Sequence, residues 1–489
     1  MGENKDYLSR GGLFQNYFFN TIAVILFSGY PYAHIHAGQW EFIPSLIISK
    51  SYDDNIFLRG TGEEEDDYVT QINPGISIQG KSKHVEANLT YFFENLYYQN
   101  NPDRDNTYHT GNADLKAELL QNLFYVNANL GYKQRNLDRL SAVAGDNVTL
   151  GGDRSDVKTY MINPYFRYDI GNTATINLQY ITNDIDYKND SLLQSDSTIK
   201  TKILDISSGE ALRKLAWQLH YEKKHTEYAS GQSELTTEDS YALIRYRFMS
   251  KSYLIAMSGY EENTYEVPVG VEQPKGSYWS AGLGWQPSRR TNMEVTKGER
   301  FYGETAELKF SHQTRRSVWN IQYSENILTS SELIELQPGT PRYGAEGELV
   351  GIYLGEPTLI SQPLVILDKS LVATASWKTG RTSLGFRLLD SERVYQETQE
   401  KENIQGGSVS VRWRFMPKTY FMLTHEVTNS PIRGTDDEND IVRTQLGVEQ
   451  KFSSRLQFYF NWDQTELTSA DSINDYKRNL YTLSAHMSF

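Results

Sequence analysis

Apolar and polar residues alternate along most of this chain with a period of two, the pattern of strands that present one face to a nonpolar phase and the other to water. Ile72, Pro74, Ile76 and Ile78 fall on one face, and Asn73, Gly75, Ser77 and Gln79 on the other. Phe124, Val126, Ala128 and Leu130 separate in the same way from Tyr125, Asn127 and Asn129, as do Leu456, Phe458, Phe460 and Trp462 from Gln457, Tyr459 and Asn461. Val409, Val411, Trp413 and Phe415 oppose Ser408, Ser410, Arg412 and Arg414. A slip of one residue exchanges the two faces, so strand register is written into the pattern.

Turn-forming residues punctuate these strands at Gly80-Lys81-Ser82, Gly171-Asn172, Ser250-Lys251-Ser252, Ser288-Arg289-Arg290, Gly380-Arg381, Pro417-Lys418 and Ser453-Ser454. Longer polar stretches lie between them, at Asp53 to Asp67, Asn100 to Thr110, Asn136 to Ser155, Asn429 to Asn439 and Thr465 to Asn474. Short turns on one side and long loops on the other is the asymmetry of an outer-membrane barrel. The alternating segments from Trp40 to Phe489 number about 22, with roughly 18 to 24 as bounds, and an even count leaves both ends on the periplasmic side. The predicted fold is therefore all-β, a large single-chain antiparallel transmembrane β-barrel over residues 38–489. Residues 330–369 resist assignment to strands, because Pro338, Pro341, Pro357 and Pro363 remove ladder donors. A long loop, an extra hairpin or a lumenal constriction is expected there, and loops of that length usually carry function.

The chain ends sharpen this reading. Tyr481, Leu483, Ala485, Met487 and Phe489 occupy every second position up to a terminal aromatic. Such a strand resembles the closing strand of an outer-membrane barrel, with Tyr481, Leu483 and Phe489 as the signal presented to the assembly machinery. At the other end Lys5 and Arg10 precede an apolar run from Tyr17 to Phe27, followed by Ile35-His36-Ala37. That order predicts a secretory signal peptide over residues 1–37, since the run is well short of the ~20 residues a spanning helix needs.

Composition excludes an α-helical membrane protein: mean hydropathy is −0.58, and no later apolar run is long enough for a spanning helix. A barrel passes this test because only alternate residues of its strands face lipid, and 13% aromatic content suits interfacial girdles. There is no cysteine, so disulfides and cysteine metal sites are excluded. A soluble β-sandwich also alternates but needs neither so many long strands nor a terminal Phe, and no fixed short repeat marks a solenoid.

Net charge is −14, with acid gathered at Glu63, Glu64, Glu65, Asp66 and Asp67 and again at Asp436-Asp437-Glu438. These carboxylates are either a solvated rim or, for Glu63 to Asp67, ligands for a divalent cation shared with lipopolysaccharide or an anionic polymer. Arg245, Arg247, Arg412, Arg414 and Arg443 alternate with apolar neighbours and are expected to line the lumen with Asn73 and Gln79. Two readings of the arginines stand side by side: pairing with lumenal carboxylates, or an electropositive path for an acidic saccharide with aromatic stacking surfaces beside it. His220, His225, His312 and His425 are expected as lumenal or rim polar residues, and the glycines of Gly282 to Trp285 as inward strand positions. No metalloprotease, calcium-loop or phosphate-loop spacing occurs, so neither an enzyme, a cofactor, a metal site nor a nucleic-acid partner is assigned.

WEFIPSLIISKSYDDNIFL, followed by DDYVTQINPGISIQGKS, resembles the outer-membrane barrel family associated with exosortase and PEP-CTERM systems. Trp40, Pro44, Tyr52, Asp54, Asn55, Asp67, Thr70, Pro74 and Gly75 carry the likeness, and beyond Gly80 only barrel-like alternation continues it. The resemblance implies a bacterial outer-membrane passage for exopolysaccharide, without catalytic residues. Its implied partners are membrane lipid and lipopolysaccharide, the assembly machinery, periplasmic polysaccharide-export proteins and the polysaccharide itself. The alternative is a general diffusion porin for ions and small solutes.

Overall fold

A computed structural model describes residues 39–489 apart from 137–145, 152–153, 189–195, 230–233, 265–273, 330–341, 344–348, 352–364, 397, 432–437 and 470–474. The signal peptide expected at 1–37 lies outside the described residues, as do Asp436 and Asp437 and most of 330–369.

Alternation becomes a single closed antiparallel sheet of 22 strands. β1 (Gln39–Asp53) pairs with β2 (Asp67–Lys81), β2 with β3 (Val85–Tyr98), and the meander continues to β24 (Tyr476–Ser488), which returns to pair with β1. β16 (Arg342–Tyr343) and β17 (Leu349–Gly351) pair only with each other, and the barrel passes from β15 (Ser317–Thr329) to β18 (Val365–Lys378). The segment expected at 330–369 therefore ends at residue 364. Val365, Ile366 and Leu367 are buried and paired with Thr329, Leu328 and Ile327, so Val365 to Lys369 is strand.

The barrel is inside-out relative to a soluble β protein. Trp40, Phe42, Leu178, Trp279, Leu283, Phe460 and Leu483 stand exposed on the outer face. Asp53, Glu261, Glu449 and Arg478 are buried on the inner one. An exposed apolar band is stable only against hydrocarbon, and the absence of a free sheet edge along the closed wall satisfies the backbone there.

Short turns gather at one end: 171–173, 289–290, 379–381 and 417–418 separate consecutive strands. Gly171, at φ +51, takes a left-handed conformation that glycine adopts without steric cost. The first expected turn moves outward, because Gly80 and Lys81 still pair with Ala87 and Glu86 and the chain reverses where Ser82 N donates to Val85 O at 2.7 Å. The long-loop end is also more regular than the hydrophobic pattern implied. β4 (Asn106–Leu120) begins inside the stretch expected as a loop at Asn100 to Thr110. β21 (Thr419–Pro431), β22 (Glu438–Lys451) and β23 (Leu456–Ser469) likewise extend into Asn429 to Asn439 and Thr465 to Asn474. Apart from Tyr108 and Leu467 these extensions are polar on both faces and rely on ladders and side-chain bonds, such as Asn429 Nδ2 to Asp440 Oδ1 at 2.9 Å, that hydropathy does not register.

Candidate functional site: a clasped mouth and an ion-paired lumen

The motif at Tyr52 to Leu58 closes the barrel. β1 ends at Asp53, whose inward carboxylate accepts from Arg478 of β24 at 2.7 and 2.8 Å. The next residue, Asp54, accepts from the backbone N and the Nδ2 of Asn479 at 2.6 and 2.8 Å. Asn55 Oδ1 accepts from Arg59 N at 2.8 Å, while its Nδ2 donates to Arg59 O at 2.7 Å and to Lys477 O at 3.1 Å. The tight loop thus lies across the β1–β24 seam.

Its apolar residues grip both sides of that seam. Ile56 packs with Val69, Leu96, Tyr98, Val148 and Leu480. Leu58 packs with Ile441, Leu467 and Tyr476. All the strand residues in these two clusters occupy inner-face positions, alternating with exposed Tyr68, Tyr97 and Tyr481. The loop therefore enters the barrel mouth and joins the first three strands to the last three.

A second segment, residues 146–151, packs onto the first. Leu150 N and Thr149 Oγ1 donate to Ile56 O at 2.7 and 2.6 Å, and Tyr98 Oη donates to Val148 O at 2.9 Å. Asp146 meets the same guanidinium that holds Asp53, at 2.8 and 3.2 Å. Burial pushes the Asp146 carboxyl up, but the charge and hydrogen bonds of Arg478, with the nearby charges of Arg154 and Arg443, hold it well below the usual carboxylate range. Arg478, buried beside two carboxylates, is the residue on which both segments converge.

Farther along the wall, inward arginines meet carboxylates. Arg412 binds Glu449 at 2.9 Å and lies 4.3 Å from the Tyr420 ring centroid. Arg443 binds Asp463 at 2.7 Å, Arg245 approaches Glu294 at 3.6 Å, and Arg300 pairs with Glu261. Arg247 and Arg414 sit elsewhere: they donate to Ser250 O and Gly380 O, at 3.1 and 2.9 Å, on the short-turn rim. Both stand at the short-turn end of the wall, where turn carbonyls meet them, and Arg247 lies 5.5 Å from the ring centroid of the inner-face Tyr253. Asn73 is buried on the inner face of β2 opposite Ile47, whereas Gln79 is exposed near the short-turn end.

The acidic loop is largely spent within the chain. Glu65 pairs with Arg59, and Glu64 Oε2 accepts from Gly62 N at 2.6 Å. Asp67 is buried and accepts from Gln99 N, Asn100 N and Asn101 Nδ2 at 3.1, 2.9 and 2.9 Å. Asp67 thus caps the Gln99–Asn101 turn. Among the described residues no cluster of three or more His, Asp or Glu has a metal-binding arrangement. His220 meets Asp205 at 2.8 Å and stacks on Tyr241, while His225, His312 and His425 bond Thr236, Thr291 and Thr444.

At the chain end, Tyr481, Leu483 and Phe489 are exposed, with Tyr481 and Leu483 on the outer face, and Phe489 N donates to Pro44 O at 2.9 Å. The glycines at 282 and 284 lie on the inner face, and the Tyr253 ring fills the space a side chain at Gly284 would need. Aromatic cover of a strand glycine in this way pins register.

No protein-family model and no curated protein matches the chain. Among solved structures, the ferric enterobactin receptor of Pseudomonas aeruginosa aligns at TM-score 0.50 and 10% identity over 92% of this chain and 81% of that one. The FrpB iron transporter of Neisseria meningitidis aligns at 0.47 and 11% identity over 91% and 82%. A loop-deletion mutant of OmpT, an outer membrane protein of Vibrio cholerae, aligns at 0.35 and 12% identity over 93% and 100%. At such identities the likeness concerns fold alone. With its outward apolar band, closed wall and polar interior, the chain is a bacterial outer-membrane β-barrel of 22 strands.

Proposed function

We propose that this barrel is the outer-membrane passage for a polysaccharide exported alongside an exosortase/PEP-CTERM system, acting by confinement and weak multi-site contact without catalysis. The observation that carries the reading is a 22-strand barrel in which two loop segments fold onto the inner wall and are clasped there through Asp53, Asp146 and Arg478. Barrels of this size need a plug or a constriction if they are not to leak. A fixed eyelet suits an extended chain threading through it. The likeness at Trp40 to Gly75 supplies the biological setting, in which lipopolysaccharide surrounds the barrel and periplasmic export proteins deliver the polymer.

The test is a clean deletion, with matrix sugar quantified separately at the cell surface and in the periplasm. Surface loss with periplasmic retention is the expected result. The second reading, a general diffusion porin, draws support from the cancelled charges of Arg412 with Glu449 and Arg443 with Asp463. Unchanged surface polymer beside slower uptake of small solutes is the outcome that selects it.

A further inference from the structure

The lumen wall is chemically two-sided. The arginines and their carboxylates lie on β10 (Leu235–Tyr246) to β13 (Thr291–Arg300) and on the strands after β18. Across β5 (Phe124–Asn136), β6 (Arg154–Ile170) and β7 (Ala174–Tyr187) the inner face carries a patch of amides and phenols, with Lys133 farther along β5 and Arg167 and Asp169 toward the end of β6. Register places Tyr125 opposite Tyr165, Tyr165 opposite Gln179, and Asn127 opposite Asn163. These positions alternate with exposed Phe166 and Leu178 on the outside, so they face the lumen. The Tyr125 and Tyr165 rings stack at 4.9 Å and 12°, and Asn163 Nδ2 donates to Gln179 Oε1 at 3.3 Å. Charges of both signs border this strip: Lys116 stands opposite Asn127 and Glu118 opposite Tyr125 in β4, and Arg167 approaches Asp169 at 3.6 Å.

An amide both donates and accepts, which suits a hydroxyl, and an aromatic face suits the C–H face of a pyranose ring. Neither attracts a charged group in particular. We infer that the inner face of β5–β7, centred on Tyr125, Tyr165, Asn127, Asn163 and Gln179, is a binding strip for an uncharged, polyhydroxylated saccharide. This rests on the passage reading and names its cargo as a neutral glycan. The arginines of the other strands are already engaged with carboxylates, and the charges beside the strip have no single sign. Side-by-side strands bring the strip's groups within about 5 Å of one another, a spacing close to that of successive sugar residues.

The experiment is single-channel recording of the purified barrel in planar bilayers, with a neutral cello-oligosaccharide and an oligogalacturonate of the same length added in turn. Current block by the neutral probe is expected, weakened roughly tenfold in apparent affinity by Tyr165→Ala and by Asn163→Leu. Each variant is first checked for the heat-dependent gel shift of a folded barrel, and Asn163→Leu carries the test if Tyr165→Ala does not fold. Stronger block by the galacturonate, no block by the neutral probe, or block unchanged in both variants overturns the inference. A barrel that conducts without saccharide block leaves the passage reading standing, whereas unchanged surface polymer in the deletion strain removes that reading itself.

Discussion

Arg478 is the residue on which the mouth depends. Breaking a buried ion pair by removing one partner leaves uncompensated charge and typically costs about 3–5 kcal/mol. Arg478→Met strands Asp53 and Asp146 in this way, so the folded barrel is expected to lose its heat-dependent gel mobility at a clearly lower temperature than wild type. The pH dependence has a definite sign. Asp146 is lowered in the folded state, so its contribution is complete above the unfolded carboxyl value of about 3.9 and fades as pH falls below it. Asp146 by itself therefore gives no pH dependence above about 4, and a rise in channel conductance as its hold on Arg478 loosens is expected in stronger acid. Asp54 and Asn55 stood out in the sequence through their motif, but Arg478 did not, because its partner Asp53 lies 425 positions away. The partners of Arg412 and Arg443 were hidden for a more local reason: Glu449 and Asp463 lie on strands further along the meander, and only strand pairing sets which inner-face residues come alongside.

Among the elements, the seam shows why a clasp is useful. β1 pairs with β2 along Gln39–Asp53 but with β24 only along Ser45–Asp53, so the joint that closes the barrel is shorter than its neighbour. Ile56 and Leu58 add an apolar grip across that joint. Ile56→Ser with Leu58→Ser is expected to raise single-channel conductance and to lower resistance to SDS, and unchanged values in both would place the loop outside the conducting path. At the last strand, Leu483→Ser with deletion of Phe489 is expected to reduce the amount of barrel reaching the membrane in cells. The same protein refolded into detergent keeps near-normal conductance, because both side chains are exposed rather than packed. Strand positions and most short turns were legible from alternation and turn chemistry. Strand ends beyond the apolar band were not, since polar residues on both faces erase the period-two signal while the hydrogen-bonded ladder continues.

For the whole molecule, a net charge of −14 coexists with a lumen whose principal arginines are paired. Selectivity should then arise mainly from surface carboxylates acting through solvent. A preference for cations is expected at about 0.01 M salt and should vanish near 1 M, where the screening length falls to about 3 Å. Persistence of selectivity at high salt would locate unscreened charge inside the lumen. The period-two pattern and the even strand count by themselves determined that this chain closes into a large outer-membrane barrel, because each depends only on which residues meet lipid and on the geometry of successive strands. Tertiary structure alone decided that the mouth is clasped at Arg478, that the arginines are neutralised, and that the amides and tyrosines of β5–β7 form one strip. Those features arise between strands, and in a closed sheet the residues that meet across the seam stand at opposite ends of the sequence.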